Sequence, residues 1–445
     1  MPQASIIALP ESKQLSDEQR AWRWRILIST YAAYAGYYLC RKVFTLCKTS
    51  LAAQFGVGLD DIAHIWTAYL VAYMIGQFVN SYVGRKWGPR VLLLGGLGIS
   101  IIFNVIFGFA NSYWTFLVFM FFNGLVQASG WPGCIGTVAE WLQKKERGTI
   151  LGIWSTNYLL GNVAVKSVGG YLLGAYGWRY AFFGCTVLAF AVWWIVLPWQ
   201  RNRPQDVGLA QIAETEQEDE DRAVRASTEE RISFRGYLRL IVNPIVPLMG
   251  LSYFCLKFLR YALDSWLPTF LNLQGFGAAK AAYYSQIFDI AGFGGAILAG
   301  WALDRLFHGR WATLCVVMGI GMIAGYLAVV RFGSNPYALA FCFGIVGFMI
   351  YGPDTVLGGA AAVQVAGGRN AVAVAGLVNG IGSIGPVIQE EVIGRLVEGA
   401  DSAVGIRNAN LLALSMSIFF TLVMVVIVWR IRAVVARTRC GQEGS

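Results

Sequence analysis

The sequence predicts an all-α membrane protein of twelve spanning helices, arranged as two related halves of six. Three observations carry this prediction. The 445 residues are 56% hydrophobic, 14% aromatic and only 13% charged, against about 25% charged in soluble domains. Apolar stretches of the ~20 residues needed to cross a bilayer recur along the whole chain. A charged stretch, Gln200 to Arg239, divides them six and six.

The apolar windows open near Trp24, His64, Val91, Trp114, Gly148 and Ala181, then near Pro244, Ala281, Ala312, Tyr337, Ala371 and Asn410. The expected organisation is a tail over 1–23, a first half over 24–199, a linker over 200–239, a second half over 240–432 and a tail over 433–445. Residues 1–23 lack the charged-then-apolar pattern of a cleaved leader and are expected to stay as a polar tail. The linker's middle, ETEQEDEDRAVRASTEERISFR, has no apolar periodicity and reads as a solvated connection.

The formal net charge is +10. The basic residues sit mostly in connecting loops, so they read as topology signals rather than a nucleic-acid surface. Arg85, Lys86, Arg90, Lys144, Lys145, Arg147, Arg305, Arg310 and Arg369 fall in even-numbered loops. The odd-numbered loops are poorer, with Lys48, Arg179, Lys280, Arg331 and Arg407 as their main cations. Both termini and the linker are therefore expected in the cytoplasm, with the chain in the inner membrane. The eight cysteines are scattered without metal-ligand spacing. His64 and His308 fall at span ends, away from a midplane relay. No Gly-x-x-x-x-Gly-Lys-Ser/Thr loop is present, which argues against an ATP-driven pump within this chain. No cofactor, metal or catalytic residue is expected, and the chain reads as a non-enzyme that works as a monomer.

The halves repeat. GRKWGPR from Gly84 and DRLFHGR from Asp304 place Arg85 against Arg305 and Arg90 against Arg310, 220 positions apart in each case (305 − 85, 310 − 90). Arg41 in the first span has its counterpart in Arg260 of the seventh, 219 positions on (260 − 41). Parallel repeats of this kind put a substrate site at the repeat interface near the bilayer midplane.

Arg41 lies about sixteen residues into its window, too deep to snorkel at ~1.5 Å per residue. An ionisable group at that depth costs ~2.5–3.5 kcal/mol and marks a cavity. Two arginines on a pseudo-symmetric cavity repel unless an anion sits between them, and the guanidinium fork matches phosphate. Lys42 and Lys257 flank them. A local alternative pairs Arg260 with Asp264 at i,i+4, as a purely structural tie. Tyr34 and Tyr37 share Arg41's face and Tyr38 borders it, so their hydroxyls are candidates for phosphate or sugar contacts. Asp289, Asp354, Glu390 and Glu391 are candidate gating or coupling groups. Glu390 and Glu391 are adjacent, so at most one faces the cavity squarely. The glycines of GLVNGIGSIGP suit close helix approach.

YYLCRKVF, NGLVQASGWPGC, ERGTILGIWSTN, RPQDVGL, LRYALDSWLPTFL and DIAGFGGAILAGWALDR, taken in order, resemble the organophosphate:phosphate antiporters of the major facilitator superfamily across nearly the whole chain. The resemblance implies the major facilitator fold and exchange of an organophosphate, of sugar phosphate or glycerol phosphate type, for inorganic phosphate by alternating access. It also implies that Arg41 and Arg260 hold the phosphate. Gln77 stands where bacterial members place a lysine, and Asn157 and Tyr158 stand where relatives carry a histidine. Asp304 and Arg305 keep the second-half loop signature, a gating element, whereas the first-half loop has Gly84, Arg85 and Lys86. Two other functions remain open: a sugar-phosphate sensor that signals to a membrane kinase, and a proton-coupled anion symporter using Glu390 or Glu391.

Overall fold

The computed structural model describes residues 15–142, 150, 154, 156–212, 244–333, 335–398 and 401–442. Lys144, Lys145, Arg147, the start of the fifth span and the linker from residue 213 lie outside the described residues, as do the side chains of Arg85, Lys86, Arg369 and Cys440.

Every described element is helical. The first half runs α1 (Asp17–Leu46), α2 (Lys48–Phe55), α3 (Leu59–Trp87), α4 (Pro89–Phe109), α5 (Tyr113–Gln127), α6 (Gly130–Glu140), α7 (Asn157–Ala164), a π-helical turn (Val165–Gly169), α8 (Gly170–Tyr176) and α9 (Trp178–Val196). The second runs α10 (Ile245–Leu273), α11 (Ala278–Arg305), α12 (Trp311–Phe332), α13 (Pro336–Thr355), a π-turn (Val356–Ala360), α14 (Ala361–Glu398) and α15 (Ser402–Gln442). Seven of these helices, some extended into adjoining turns, are long and apolar enough by length and composition to cross a bilayer. The first helix starts at Asp17, ahead of the apolar window. Ser16 caps it in a capping box, its Oγ accepting from Gln19 N at 3.1 Å while Gln19 Oε1 accepts from Ser16 N at 3.0 Å.

Each half has its own apolar core. One draws on residues of α1 to α9, with Ala282 added, and the other on α10 to α15. The pairing of helices repeats between them. In the first half α1 packs on α7, α3 on α5 and α4 on α9. In the second α10 packs on α14, α11 on α13 and α12 on α15. The break at Cys47 between α1 and α2 is matched by Pro268 inside α10, 221 positions on (268 − 47). Glycine permits the closest crossings. A Cβ at Gly76 of α3 would lie 2.6 Å from Leu125 O of α5, and one at Gly347 of α13 would lie 2.5 Å from Phe288 O of α11.

The segment expected to be a solvated linker starts as packed structure. Pro204–Val207 forms a 3-10 turn, Gln19 Nε2 donates to Ala210 O at 3.1 Å, and Ile212 is buried with Ile26 and Trp141. The apolar side chains of RPQDVGLAQI account for this, since they cover the first half's end around Trp22 and Trp141.

Candidate functional site

Arg41 projects from α1 and Arg260 from α10. The Arg41 guanidinium lies over the ring of Tyr38, 3.8 Å from its centroid. Among the described residues no carboxylate pairs with it, and its buried Nε has no hydrogen-bond partner. Arg260 bonds Asp354 of α13 and lies over Tyr351 at 4.7 Å and Tyr158 at 5.6 Å. The two arginines are joined by a run of rings. Tyr38 meets Tyr158 at 6.4 Å, and Tyr158 stacks on Tyr351 at 6.2 Å. The ring faces carry negative electrostatic potential, so Arg41 is held over Tyr38 without being neutralised.

This corrects the local pairing expected for Arg260. Asp264, one turn away on the same helix, bonds Lys42 of the first half instead. Arg260 is held by Asp354, which α13 brings in from 94 residues away. Helix-surface spacing allows the i,i+4 pair, but Asp264 faces α1 and finds a cation there.

The tyrosines also divide differently from the helical-wheel expectation. Tyr37 is structural: its hydroxyl donates to Leu93 O at 2.9 Å and lies 3.0 Å from Ser129 Oγ. Tyr38, expected only to border Arg41's face, lies beneath its guanidinium. Tyr34 packs against Tyr38, Trp131 and Trp154 at 5.6–6.2 Å. Side-chain direction decides this, because long helical side chains lean toward the preceding turn. Gln77 is half-buried on α3. Asn157 is fully buried at the start of α7, with neither amide atom hydrogen-bonded among the described residues. Lys257 Nζ donates to Asn379 Oδ1 at 2.7 Å and Ser383 Oγ at 3.2 Å, both on α14.

Beyond the arginines, toward the end of the bundle where α1 finishes, the halves are tied together by charge. Lys42 bonds Asp264. Lys48 bonds Glu390 and also donates to Ser265 Oγ at 2.8 Å. Lys166 donates to Asp289 at 2.5 Å and to Ser285 O at 3.1 Å, and Asn162 Nδ2 donates to the same carboxylate at 3.1 Å. In each pair the lysine comes from the first half and the acid from the second. Further out, His64 meets Glu391 at 3.1 Å and Leu59 N donates to Glu398 at 2.6 Å. An apolar patch of Ala63, Trp266, Ile393 and Val397 fills the seam between them.

Lys48 and Lys166 are the residues sequence reasoning passed over. Lys48 reads as a loop cation, yet it opens α2 and is fully buried. Lys166 is a lone cation in the fifth span, a signal of the same kind as Arg41. It sits in the π-turn Val165–Gly169, a local widening frequent at functional positions. Asp304 and Arg305 lie exposed at the far end of α11, away from the arginines.

The profile of the Major Facilitator Superfamily matches residues 30–389. The "Probable hexose phosphate transport protein" of Chlamydia trachomatis is 27% identical over 379 residues, 81% of this chain and 82% of that protein. The "Membrane sensor protein UhpC" of Escherichia coli is 28% identical, over 80% of this chain and 81% of its own. The "Glycerol-3-phosphate transporter" of Bacillus subtilis is 28% identical, over 80% and 82%. Among solved structures, a bacterial homolog of the lysosomal transporter Spinster, inward-facing and occupied, superimposes with a TM-score of 0.74 at 15% identity, over 93% of this chain and 97% of that one. The D-xylose-proton symporter gives 0.68 at 14% identity, over 89% and 96%.

Proposed function

The chain belongs to the major facilitator superfamily, and from that premise we propose that it exchanges an organophosphate for inorganic phosphate by alternating access. The chain is a multi-pass membrane transporter and not an enzyme. Its relatives named for hexose phosphate and glycerol 3-phosphate support a phosphorylated metabolite as the substrate, as the motif resemblance implied.

The observation that carries the reading is the charge balance around Arg41 and Arg260. Arg260 is offset by Asp354 and Lys42 by Asp264. Arg41 and Lys257 have no carboxylate partner among the described residues, which leaves a surplus of two positive charges near the midplane. A phosphate monoester brings roughly −1.5 to −2. It neutralises that surplus and supplies acceptor oxygens for the guanidinium fork. Arg41 binds phosphate oxygens from the first half. Arg260 shifts between Asp354 and the substrate.

The Lys–acid ties between the halves close the end of the bundle where α1 finishes. With both termini on the cytoplasmic side of the inner membrane, that end faces outward, and the conformation is closed to the outside. Rocking of the halves separates Lys42 from Asp264, Lys48 from Glu390 and Lys166 from Asp289. Glu390 and Glu391 act as ties in this scheme rather than as proton carriers, since Lys48 and His64 engage them.

The test is exchange in proteoliposomes loaded with inorganic phosphate, against a panel of phosphorylated metabolites, with and without a pH gradient. Exchange is expected to need internal phosphate and to vanish in Arg41→Ala. Full activity of that variant overturns the assignment. The similarity to a membrane sensor favours one second reading, binding of the same ligand with signalling and little flux. Saturable phosphate binding without counterflow supports that reading instead.

A further inference from the structure

Resting on the phosphate-exchange reading above, we propose that Asn379, positioned through Lys257 and Ser383, reads a hydroxyl group of the substrate's organic part. The site then takes a phosphate monoester whose organic part is uncharged and bears hydroxyls, in preference to a phosphorylated carboxylate.

Asn379 and Ser383 sit one turn apart on α14, inside a stretch whose sequence looks merely glycine-rich. Polar side chains at this depth need polar partners. Both find Lys257 of α10, three residues before Arg260 and so on a shared helix face. Gly382 makes the approach possible: a Cβ there would lie 2.6 Å from Tyr253 Cδ1 and 3.4 Å from Lys257 Cδ.

The hydrogen bonds fix what is left for a ligand. An ammonium group only donates, so Lys257 fixes the Asn379 amide with Oδ1 toward it. Ser383 Oγ accepts from Lys257 and donates to Asn379 O at 2.8 Å. The Asn379 NH2 therefore remains as a donor on an exposed side chain, without a protein partner among the described residues. Asp354 of α13 spends Oδ2 on Arg260, and its Oδ1 is buried without a hydrogen-bond partner. Near Arg260 the site thus holds a free donor, and Asp354 is released as a carboxylate acceptor when Arg260 turns to the phosphate. A hydroxyl complements both, because it accepts and donates at once. A substrate carboxylate has no proton to give Asp354 and meets it as a like charge.

The test uses the full-length protein in proteoliposomes with internal inorganic phosphate and external glycerol 3-phosphate, methyl phosphate or 3-phosphoglycerate. The wild-type protein is expected to half-saturate at a lower concentration of glycerol 3-phosphate than of methyl phosphate, which has no hydroxyl on its organic part. Asn379→Asp should raise the ratio of the two half-saturation constants by about two- to tenfold, the worth of one hydrogen bond, and Ser383→Ala, which loosens the positioning of Asn379, by a smaller factor. Asn379→Asp is isosteric and keeps a partner for Lys257, so it separates lost recognition from lost folding. Ratios unchanged in both variants, or a wild-type preference for 3-phosphoglycerate, overturn the inference and leave phosphate exchange standing. No exchange with any phosphorylated compound overturns the underlying reading and this inference with it.

Discussion

Lys48 of α2 and Glu390 of α14 form an ion pair between the two halves in which both side chains are 0% exposed. The Lys48 ammonium also lies 3.7 Å from the centroid of the Trp266 ring, whose Nε1 donates to the same carboxylate at 2.9 Å. The pair is buried and fully bonded in the observed conformation, and under the proposed rocking of the halves it parts. Removing one partner leaves an uncompensated buried charge, which costs roughly 3–5 kcal/mol. Lys48→Met is therefore expected to lower the thermal stability of the detergent-solubilised protein, and Lys48→Met combined with Glu390→Leu to recover most of the loss. Thermal unfolding of the wild type and three variants closes the double-mutant cycle, and additive losses would refute a direct pair.

Gly394 of α14 rests against α3 at this same seam, where a Cβ would lie 2.7 Å from Ala63 Cβ and 3.2 Å from Asp60 Cα. Gly394→Val should hold the halves apart at that end. Spin labels at Ser112 and Asp401, exposed residues in the first and second half, are expected to show a longer distance distribution than in the otherwise native protein. An unchanged distribution removes the seam as a point of closure.

In the proposed exchange, Asp354 competes with substrate for Arg260. Asp354→Asn should tighten equilibrium binding of inorganic phosphate by about tenfold or more, since a charged partner bond is worth roughly 1.5–3 kcal/mol. It should also slow exchange, because release then lacks the returning carboxylate. Calorimetric binding together with exchange rates checks both directions. Weaker binding would show that Asp354 positions Arg260 rather than competing for it.

Tyr38 acts on Arg41 through its ring face. Tyr38→Phe keeps that face and is expected to leave phosphate half-saturation within about twofold of wild type. Tyr38→Leu removes a cation–π contact of roughly 0.5–2 kcal/mol and should raise half-saturation by about two- to thirtyfold. Equal effects of Phe and Leu would assign the role to the hydroxyl instead.

Much of the fold is legible in the chain because its determinants are one-dimensional. Span length, loop cations and the recurrence of Arg41 as Arg260 all depend on spacing, and the structure repeats its helix pairs accordingly. The two midplane arginines are legible for the same reason, since a cation deep in an apolar run is conspicuous wherever its helix packs. Partner choice is not written this way. Asp264 is four residues from Arg260 yet serves Lys42, because the direction of each helix face is set by its neighbours. Lys48 resembles a loop cation until α14 closes over it beside Trp266. Lys166 becomes a tie only when a π-turn and α11 place Asp289 within 2.5 Å of it. By itself the sequence determined a two-half membrane bundle with a pair of midplane arginines. The tertiary structure alone decided which acid answers which base, because the Coulomb energy of a buried pair depends on distances across the seam, and those arise only when the halves meet.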